Sequence, residues 1–471
     1  MKIAFVSSEM VPFAKTGGLA DVSGSLPLGL EKYGSEVKVF MPKYKTVKVV
    51  KNQTVIGKGI DVFFIENEKY FNRENLYGDR SGDYPDNLER FAYFSKAVLE
   101  TLKKTGFKPD IVHCNDWQSA LIPVYLKTIY KDNPFFANTK TVLTIHNLAY
   151  QGLFDKSLFP QTGLDWELFS IDGFEFYGKV NVLKAGIEFT DFINTVSPTY
   201  AGEIQTKEFG YGLEGVLQKR SDALFGILNG IDYDVWNPAT DKNIAKNYDA
   251  SSSDQKYLNK EDLQRSSGLT VDKNVPLIGI ISRLADQKGL DLIADIIEKI
   301  LKLKVQFILL GAGDDRYHVL FDGIAKKYPK ITSINLKFDA VLAQKIYAGC
   351  DMFLMPSRFE PCGLGQMICL RYGTVPIVRT TGGLKDTISE YNESTKQGNG
   401  FTFLDYSSAK LFDTIKRALS LYKKKAAWLE LVKRAMGYDF SLEHSAKEYL
   451  ALYAKLASKK SARNHAGCVA K

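Results

Sequence analysis

Cysteine is scarce: the chain of 471 residues holds five, Cys114, Cys350, Cys362, Cys369 and Cys468. An odd number with no metal-ligand pairing argues against a disulfide framework and against a zinc site, and reduced thiols in the cytoplasm are the simplest reading. No apolar run reaches membrane-spanning length. The opening Met1-Lys2-Ile3-Ala4-Phe5-Val6 is apolar but stops at Ser7-Ser8-Glu9. That is too short for a signal-peptide core, and the stretch is expected to be a first strand with no transit segment before it. Fixed-period repeats, low-complexity blocks and nucleic-acid-binding motifs are also missing. Basic residues exceed acidic ones by 62 to 54, a net charge of +8. The lysines are spread along predicted helices, with local excess at Lys423-Lys424-Lys425 and Lys459-Lys460. Solvated helix faces plus a charged pocket for an anionic small molecule fit that balance better than a nucleic-acid partner.

A chain of this length exceeds one ordinary core, so two or more domains are expected. Hydrophobic residues at 45% and charged residues at 25% are those of a soluble globular protein. Strand-like segments at 2–8, 36–41, 61–65, 111–113, 141–145, 192–196 and 226–228 alternate with helical patterns such as 19–33 and 87–104. The alternation breaks near Trp236-Asn237-Pro238, and residues 239–274 are polar, as a hinge would be. It restarts with strands at 276–281, 305–310, 331–336, 352–355 and 375–378 and helices at 289–301, 340–349, 366–372 and 410–424. Each half therefore predicts an α/β fold, a parallel sheet with helices on both faces. Two such domains would face each other across a cleft, with strand ends turned toward it. A last amphipathic helix, 443–456, suits either domain, and 459–471 is expected to be a frayed basic tail.

Pro356-Ser357-Arg358-Phe359-Glu360-Pro361-Cys362-Gly363-Leu364-Gly365 joins a buried strand to a helix start. In open α/β sheets, ligands bind outside such carboxyl ends of strands, and the N–H groups of a helix start favour an anion. Glu360 is the one carboxylate of the loop; it either binds there or caps the helix. Lys15-Thr16-Gly17-Gly18 follows the first strand at the phosphate position of a mononucleotide-binding fold but matches no standard Gly-rich fingerprint. It is a ligand loop or a plain turn. Asp21, one helical turn on, also suits the positive end of that helix. Arg283 ends a strand and Lys288 lies near the next helix start, two cations suited to a diphosphate or to surface carboxylates such as Asp286. Asp116 and Trp117 suit sugar binding, though Trp117 equally suits a core. His146 stands at the tip of an apolar strand, as a cleft residue or a satisfied structural one. Gly311-Ala312-Gly313 lacks the third glycine of a dinucleotide motif, because position 316 is Arg, and reads as a turn.

Taken together, Lys15-Thr16-Gly17-Gly18-Leu19-Ala20-Asp21-Val22, Leu76-Tyr77-Gly78, the 83–91 stretch, Thr144-Ile145-His146-Asn147-Leu148-Ala149-Tyr150-Gln151-Gly152, Leu228-Asn229-Gly230-Ile231-Asp232, Ser282-Arg283-Leu284 with Gln287-Lys288-Gly289-Leu290-Asp291, and the Glu360 loop resemble the bacterial glycogen synthase and plant starch synthase family. The resemblance runs in order over roughly residues 1–455. It implies the GT-B architecture of two Rossmann-like doubly wound domains facing a deep cleft. The implied boundaries are an acceptor-side domain at 1–240, a hinge at 241–274, a nucleotide-sugar domain at 275–440 and a helix at 441–458 crossing back to the first domain.

The resemblance also implies roles. Lys15 and the amides of Gly17 and Gly18 would bind the sugar nucleotide, and Arg283 and Lys288 its diphosphate. Glu360 would contact the donor glucose, with the backbone of Cys362, Gly363 and Leu364 nearby and His146 beside the reacting sugar. Asp21, Asp116, Asn147 and Asn229 would line the cleft, and Tyr84 and Asn87 would lie on the acceptor side. Phe338 stands where a tyrosine stacking on adenine is expected, and Gly365 replaces a threonine often found there. The implied reaction moves glucose from ADP-glucose to the 4-OH at the non-reducing end of an α-1,4-glucan with retention, without a metal or cofactor, in the cytoplasm and away from membranes. The alternatives are a relative using UDP-glucose or another acceptor, and a catalytically silent glucan-binding protein. The presence of Lys15, His146, Arg283, Lys288 and Glu360 together speaks against the silent form.

Overall fold

A computed structural model describes residues 1–49, 51–79 and 82–458; the 459–471 tail lies outside them. The chain divides into two compact units, Met1–Gly230 with the segment from Leu442 onward, and Ile231–Ser441.

The first unit is built on an eight-stranded sheet. Its strands are β1 (Lys2–Val6), β2 (Glu36–Pro42), β3 (Gln53–Ile56), β4 (Ile60–Ile65), β5 (Ile111–Asn115), β6 (Lys140–Ile145), β7 (Phe192–Thr195) and β8 (Leu224–Gly226). Their order is β8-β7-β6-β5-β1-β2-β4-β3, parallel throughout except for β3 against β4. β5 is buried along its whole length, as helices on both faces of a parallel sheet require. The order reverses at β1, which pairs with β2 on one side and β5 on the other. The ends of β1, β5 and β6 therefore meet at the place where such sheets bind ligands.

The C-terminal helix Leu442–Ser458 packs on this unit, its Leu442, Ala446, Tyr449, Leu452, Tyr453 and Leu456 in the same core as the sheet. Asn194 donates to the Tyr449 hydroxyl at 2.9 Å, and the Tyr453 hydroxyl meets Nδ1 of buried His113 at 2.6 Å. Thr144 Oγ1 takes the other nitrogen of His113 at 2.7 Å. His113 is thereby a structural residue that ties the helix to two strands.

The second unit holds six parallel strands: β9 (Leu277–Ile281), β10 (Gln306–Leu310), β11 (Thr332–Asn335), β12 (Met352–Met355), β13 (Val375–Arg379) and β14 (Phe401–Phe403). The order β11-β10-β9-β12-β13-β14 is the doubly wound Rossmann order, and its reversal lies between β9 and β12. The segments after those two strands carry Arg283 and Lys288 on one side and Glu360 on the other.

The polar stretch expected as a hinge at 241–274 belongs instead to this second unit and contains a helix, Lys256–Ser266. Its lysines point inward. Lys256 Nζ donates to the carbonyls of Tyr347 and Ala348 and to Thr374 Oγ1, closing the end of helix Ala340–Gly349. Lys260 pairs with Asp351 at 2.7 Å. Polarity there serves as an internal cap, so composition misreads it as a linker. The strand expected at 226–228 lies two residues earlier, and helices Asp315–Lys327 and Lys425–Met436 were not anticipated.

Candidate active site

In the second unit, Lys288 Nζ sits 2.7 and 2.9 Å from the two carboxylate oxygens of Glu360, and the Ser357 hydroxyl donates to the same carboxylate at 3.0 Å. Only 6% of the Glu360 side chain is exposed, against 23% for Lys288. Lys288 closes a short 3-10 turn, Asp286–Lys288, and Gly289 then takes a left-handed conformation at φ 71°. A Cβ at Gly289 would collide with the carbonyl oxygen of Pro356, so glycine here lets the cation loop lie against the carboxylate loop. The Arg358 N–H donates to the Gln287 carbonyl at 2.9 Å, and Arg283, exposed, donates to the Gln287 side chain at 3.1 Å. The Glu360 loop is held from its other side by Gly382 and Gly383, after β13. The Gly383 N–H donates to the Glu360 carbonyl at 3.1 Å, and a Cβ on Gly382, at φ 44°, would strike that same carbonyl oxygen.

Cys362 is buried, Gly363 has φ 75° and Leu364 precedes helix Gly365–Arg371. Gln366 Nε2 donates to the Cys362 and Gly363 carbonyls at 3.0 and 2.9 Å, which holds this turn. Phe338 lies beyond β11 with 80% of its surface exposed, a bare ring presented to solvent.

In the first unit the Lys15 loop is organised by a residue that the sequence did not single out. The carboxylate of Glu9, 4% exposed, accepts from the Thr16 N–H and hydroxyl, both at 2.5 Å, from the Gly17 N–H at 3.2 Å and from the Tyr77 hydroxyl at 2.7 Å. The Gly17 amide is thus committed to Glu9, while Gly18 opens helix Gly18–Lys32, where N–H groups lack an intrahelical partner. A Cβ at Gly17 or Gly18 would meet no atom of the described protein within 4 Å. Lys15 Nζ pairs with Asp21 at 2.6 Å; burial raises the Asp21 carboxyl and Lys15 works against that rise.

Asp116 follows β5 with φ 54°. Its carboxylate accepts the His146 N–H at 2.7 Å and the Asn147 N–H, which fixes the turn after β6. Burial pushes Asp116 up to about 7, against those two hydrogen bonds. Asn115 donates its amide to the Val6 carbonyl at 2.9 Å, so its oxygen faces His146 Nε2, also at 2.9 Å. Nε2 is then the donor and Nδ1 the acceptor nitrogen of a neutral imidazole, and burial pushes His146 down to about 3.

Asn147 turns its oxygen to the Ala149 N–H at 3.1 Å. Asn229 is buried, and its Oδ1 has no hydrogen-bond partner among the described residues. Asn87 is committed internally, donating to the Tyr77 carbonyl at 2.8 Å and accepting from Arg90 at 2.5 Å. Tyr84 lies over the guanidinium groups of Arg73 and Arg90. Trp117 is buried against Phe91 and Phe154, so its ring is core. Among the described residues no group of three or more His, Cys, Asp and Glu is placed to hold a metal ion, and no helix is long and apolar enough to cross a membrane.

Residues 2–219 match the family described as starch synthase catalytic domain, and residues 260–434 match glycosyl transferases group 1. The chain is 52% identical over 485 residues to the glycogen synthase of Thermosipho melanesiensis, an alignment covering 98% of this chain and 100% of that protein. It is 51% identical over 488 residues to the glycogen synthase of Fervidobacterium nodosum, with 98% and 99% covered. Among solved structures, the catalytic domain of starch synthase IV from Arabidopsis thaliana, bound to ADP and acarbose, has a TM-score of 0.89 at 36% identity, covering 97% of this chain and 99% of that one. Both constellations sit at strand-order reversals of Rossmann-like sheets, and the likeness runs through both units: the chain belongs to the glycogen synthase family and is a glycosyltransferase of the GT-B class.

Proposed function

We propose that this enzyme transfers glucose from ADP-glucose to the 4-OH at the non-reducing end of an α-1,4-glucan, with retention at the anomeric carbon and release of ADP. The observation that carries the reading is the Lys288–Glu360 pair at the strand-order reversal of the second unit's sheet, with Arg283 held on Gln287, the residue before Lys288. The starch synthase IV domain named above was solved with ADP and a carbohydrate, acarbose, which supports a nucleoside diphosphate on the donor side.

In the transfer, the bond from glucose C1 to the phosphate oxygen breaks and a bond from C1 to the acceptor O4 forms. The acceptor proton passes to the departing phosphate, so no protein base is consumed. Negative charge grows on that phosphate, and Arg283 and Lys288 are preorganised to meet it. Loss of one such group costs on the order of 3 kcal/mol of barrier. Glu360 is already neutralised by Lys288, which suits it to hold sugar hydroxyls. A double displacement would instead require two carboxylates about 5 Å apart across the bond. On the first unit, open space beside Gly17 and Gly18 suits close approach of a ligand to the backbone. His146, neutral, supplies a hydrogen bond rather than a charge. Phe338 offers a face to the base without the hydroxyl a tyrosine would add.

The test is incorporation of radiolabelled glucose into glycogen from ADP-glucose and, separately, UDP-glucose, with Glu360→Ala as control. Incorporation from ADP-glucose that is lost in the variant is the expected result. Preference for UDP-glucose overturns the donor, and binding of ADP-glucose without transfer overturns the reaction.

A further inference from the structure

Two exposed tyrosines of the first unit hold an unusual backbone. Tyr177 and Tyr211 both have φ 50°, and each precedes a glycine with positive φ, Gly178 at 77° and Gly212 at 83°. Non-glycine residues are held in that region when the surroundings over-determine them, and such positions gather at ligand clamps. Tyr177 keeps 83% of its surface exposed, Tyr211 41% and nearby Tyr150 51%.

The three belong to one patch. A side-chain atom at Gly212 would sit 2.8 Å from the Phe176 ring and 3.5 Å from that of Tyr177, so the two tyrosine turns touch. Gln151 joins them to the strand ends: its Nε2 donates to the Tyr211 carbonyl at 3.2 Å, and its oxygen accepts from Asn181 at 2.6 Å. Tyr150 precedes Gln151 and so sits beside the Tyr211 turn that Gln151 holds; burial pushes the Tyr211 hydroxyl up, and Tyr150 adds to that rise. Tyr150 in turn donates its N–H to the Asn147 carbonyl at 3.2 Å. The patch is thus tied by Tyr150 to the turn that starts at Asn147, the residue after His146.

We infer that Tyr150, Tyr177 and Tyr211 form a platform for the α-1,4-glucan acceptor beyond its reacting end, so that long chains are held better than short ones. Flat rings carrying a hydroxyl match a neutral carbohydrate, which offers apolar C–H faces and hydroxyl rims and no charge. Continuity with the His146 turn selects the glucan over an unrelated partner. The inference rests on the glucan-transfer reading above.

The experiment compares maltotriose and glycogen as acceptors for the wild type, Tyr177→Ala, Tyr211→Ala and the ring-preserving Tyr177→Phe, with circular dichroism to verify folding. Loss of one aromatic anchor raises KM for glycogen on the order of tenfold, with kcat and the KM values for maltotriose and for the sugar nucleotide unchanged. Tyr177→Phe stays close to wild type. If every KM is unchanged, or both acceptors weaken equally, the platform is overturned. If sedimentation shows that Tyr177→Ala splits a dimer, the patch serves a second copy of the chain and the inference also falls. A wild type that elongates neither acceptor removes the glucan reading itself, a result distinct from an active enzyme indifferent to these tyrosines.

Discussion

The Lys288 ammonium and the Glu360 carboxylate make a two-oxygen contact at 2.7 and 2.9 Å across 72 positions of sequence. Neither charge is then buried alone.

Removing the cation should therefore do two separable things. Lys288→Met is expected to lower kcat by about 10²- to 10³-fold and to destabilise the fold by about 2 kcal/mol, because Glu360 stays buried without a partner while Lys288 is itself partly solvated. Adding Glu360→Gln should recover most of the stability and none of the activity. Urea unfolding and steady-state kinetics on the single and double variants check this. Wild-type kcat in Lys288→Met would leave the pair a purely structural role.

Gly289 tests how tightly the two loops must approach. Alanine there meets both a left-handed φ and the Pro356 carbonyl oxygen. A loss of roughly 2 kcal/mol or more of stability is expected, with kcat falling because Glu360 is displaced. Thermal unfolding and kinetics on Gly289→Ala read both effects, and a Tm equal to wild type would contradict the packing.

Acid should weaken the first unit in a defined window. His113 and His146 are both pushed down to about 3, chiefly by burial, from an ordinary value of about 6.5. Their contribution is complete above about 6.5 and is lost as pH falls toward 3. Asp116, pushed up to about 7 by burial, acts oppositely: its contribution is present below about 3.9 and is lost as pH rises through 7. Between about pH 4 and 6.5 the unfolded chain carries two imidazole protons more and one carboxyl proton fewer. Stability should rise there by about 1.4 kcal/mol per pH unit. His113→Gln is expected to flatten that slope and Asp116→Asn roughly to double it, as unfolding free energies across the window will show.

Glu9 is expected to matter as much as the lysine loop it holds. In Glu9→Gln the amide nitrogen cannot accept, so some of the four donors from Thr16, Gly17 and Tyr77 lose their partner, at about 1–3 kcal/mol for each group left buried. The sugar-nucleotide KM should rise with kcat/KM falling, while Tyr77→Phe, which removes one donor, has the smaller effect. Equal kinetics for Glu9→Gln and wild type would show that the loop needs no such support.

Most strands and the long helices were legible because they are local: the apolar run of β12 and the periodicity of helix Ala340–Gly349 fall where the sequence places them. The segment at 241–274 was not. Lys256 and Lys260 are polar residues whose partners, Thr374 and Asp351, lie about a hundred positions away, and composition counts them as solvent-facing. Glu9 and the glycines at 382 and 383 escaped notice for a related reason. Each supports a loop through hydrogen bonds or close contact without belonging to the motif it supports.

The sequence by itself determined two α/β halves and the charged residues at their strand ends, because alternating hydrophobic patterns and residue types are local properties. Tertiary structure alone decided which charges meet. The parallel pairing of β9 with β12 brings Lys288 to Glu360, and that of β5 with β6 brings Asp116 beneath the His146 turn. An ion pair or a shifted pKa depends on distance and burial, and both arise only when the sheet has brought distant strand ends together.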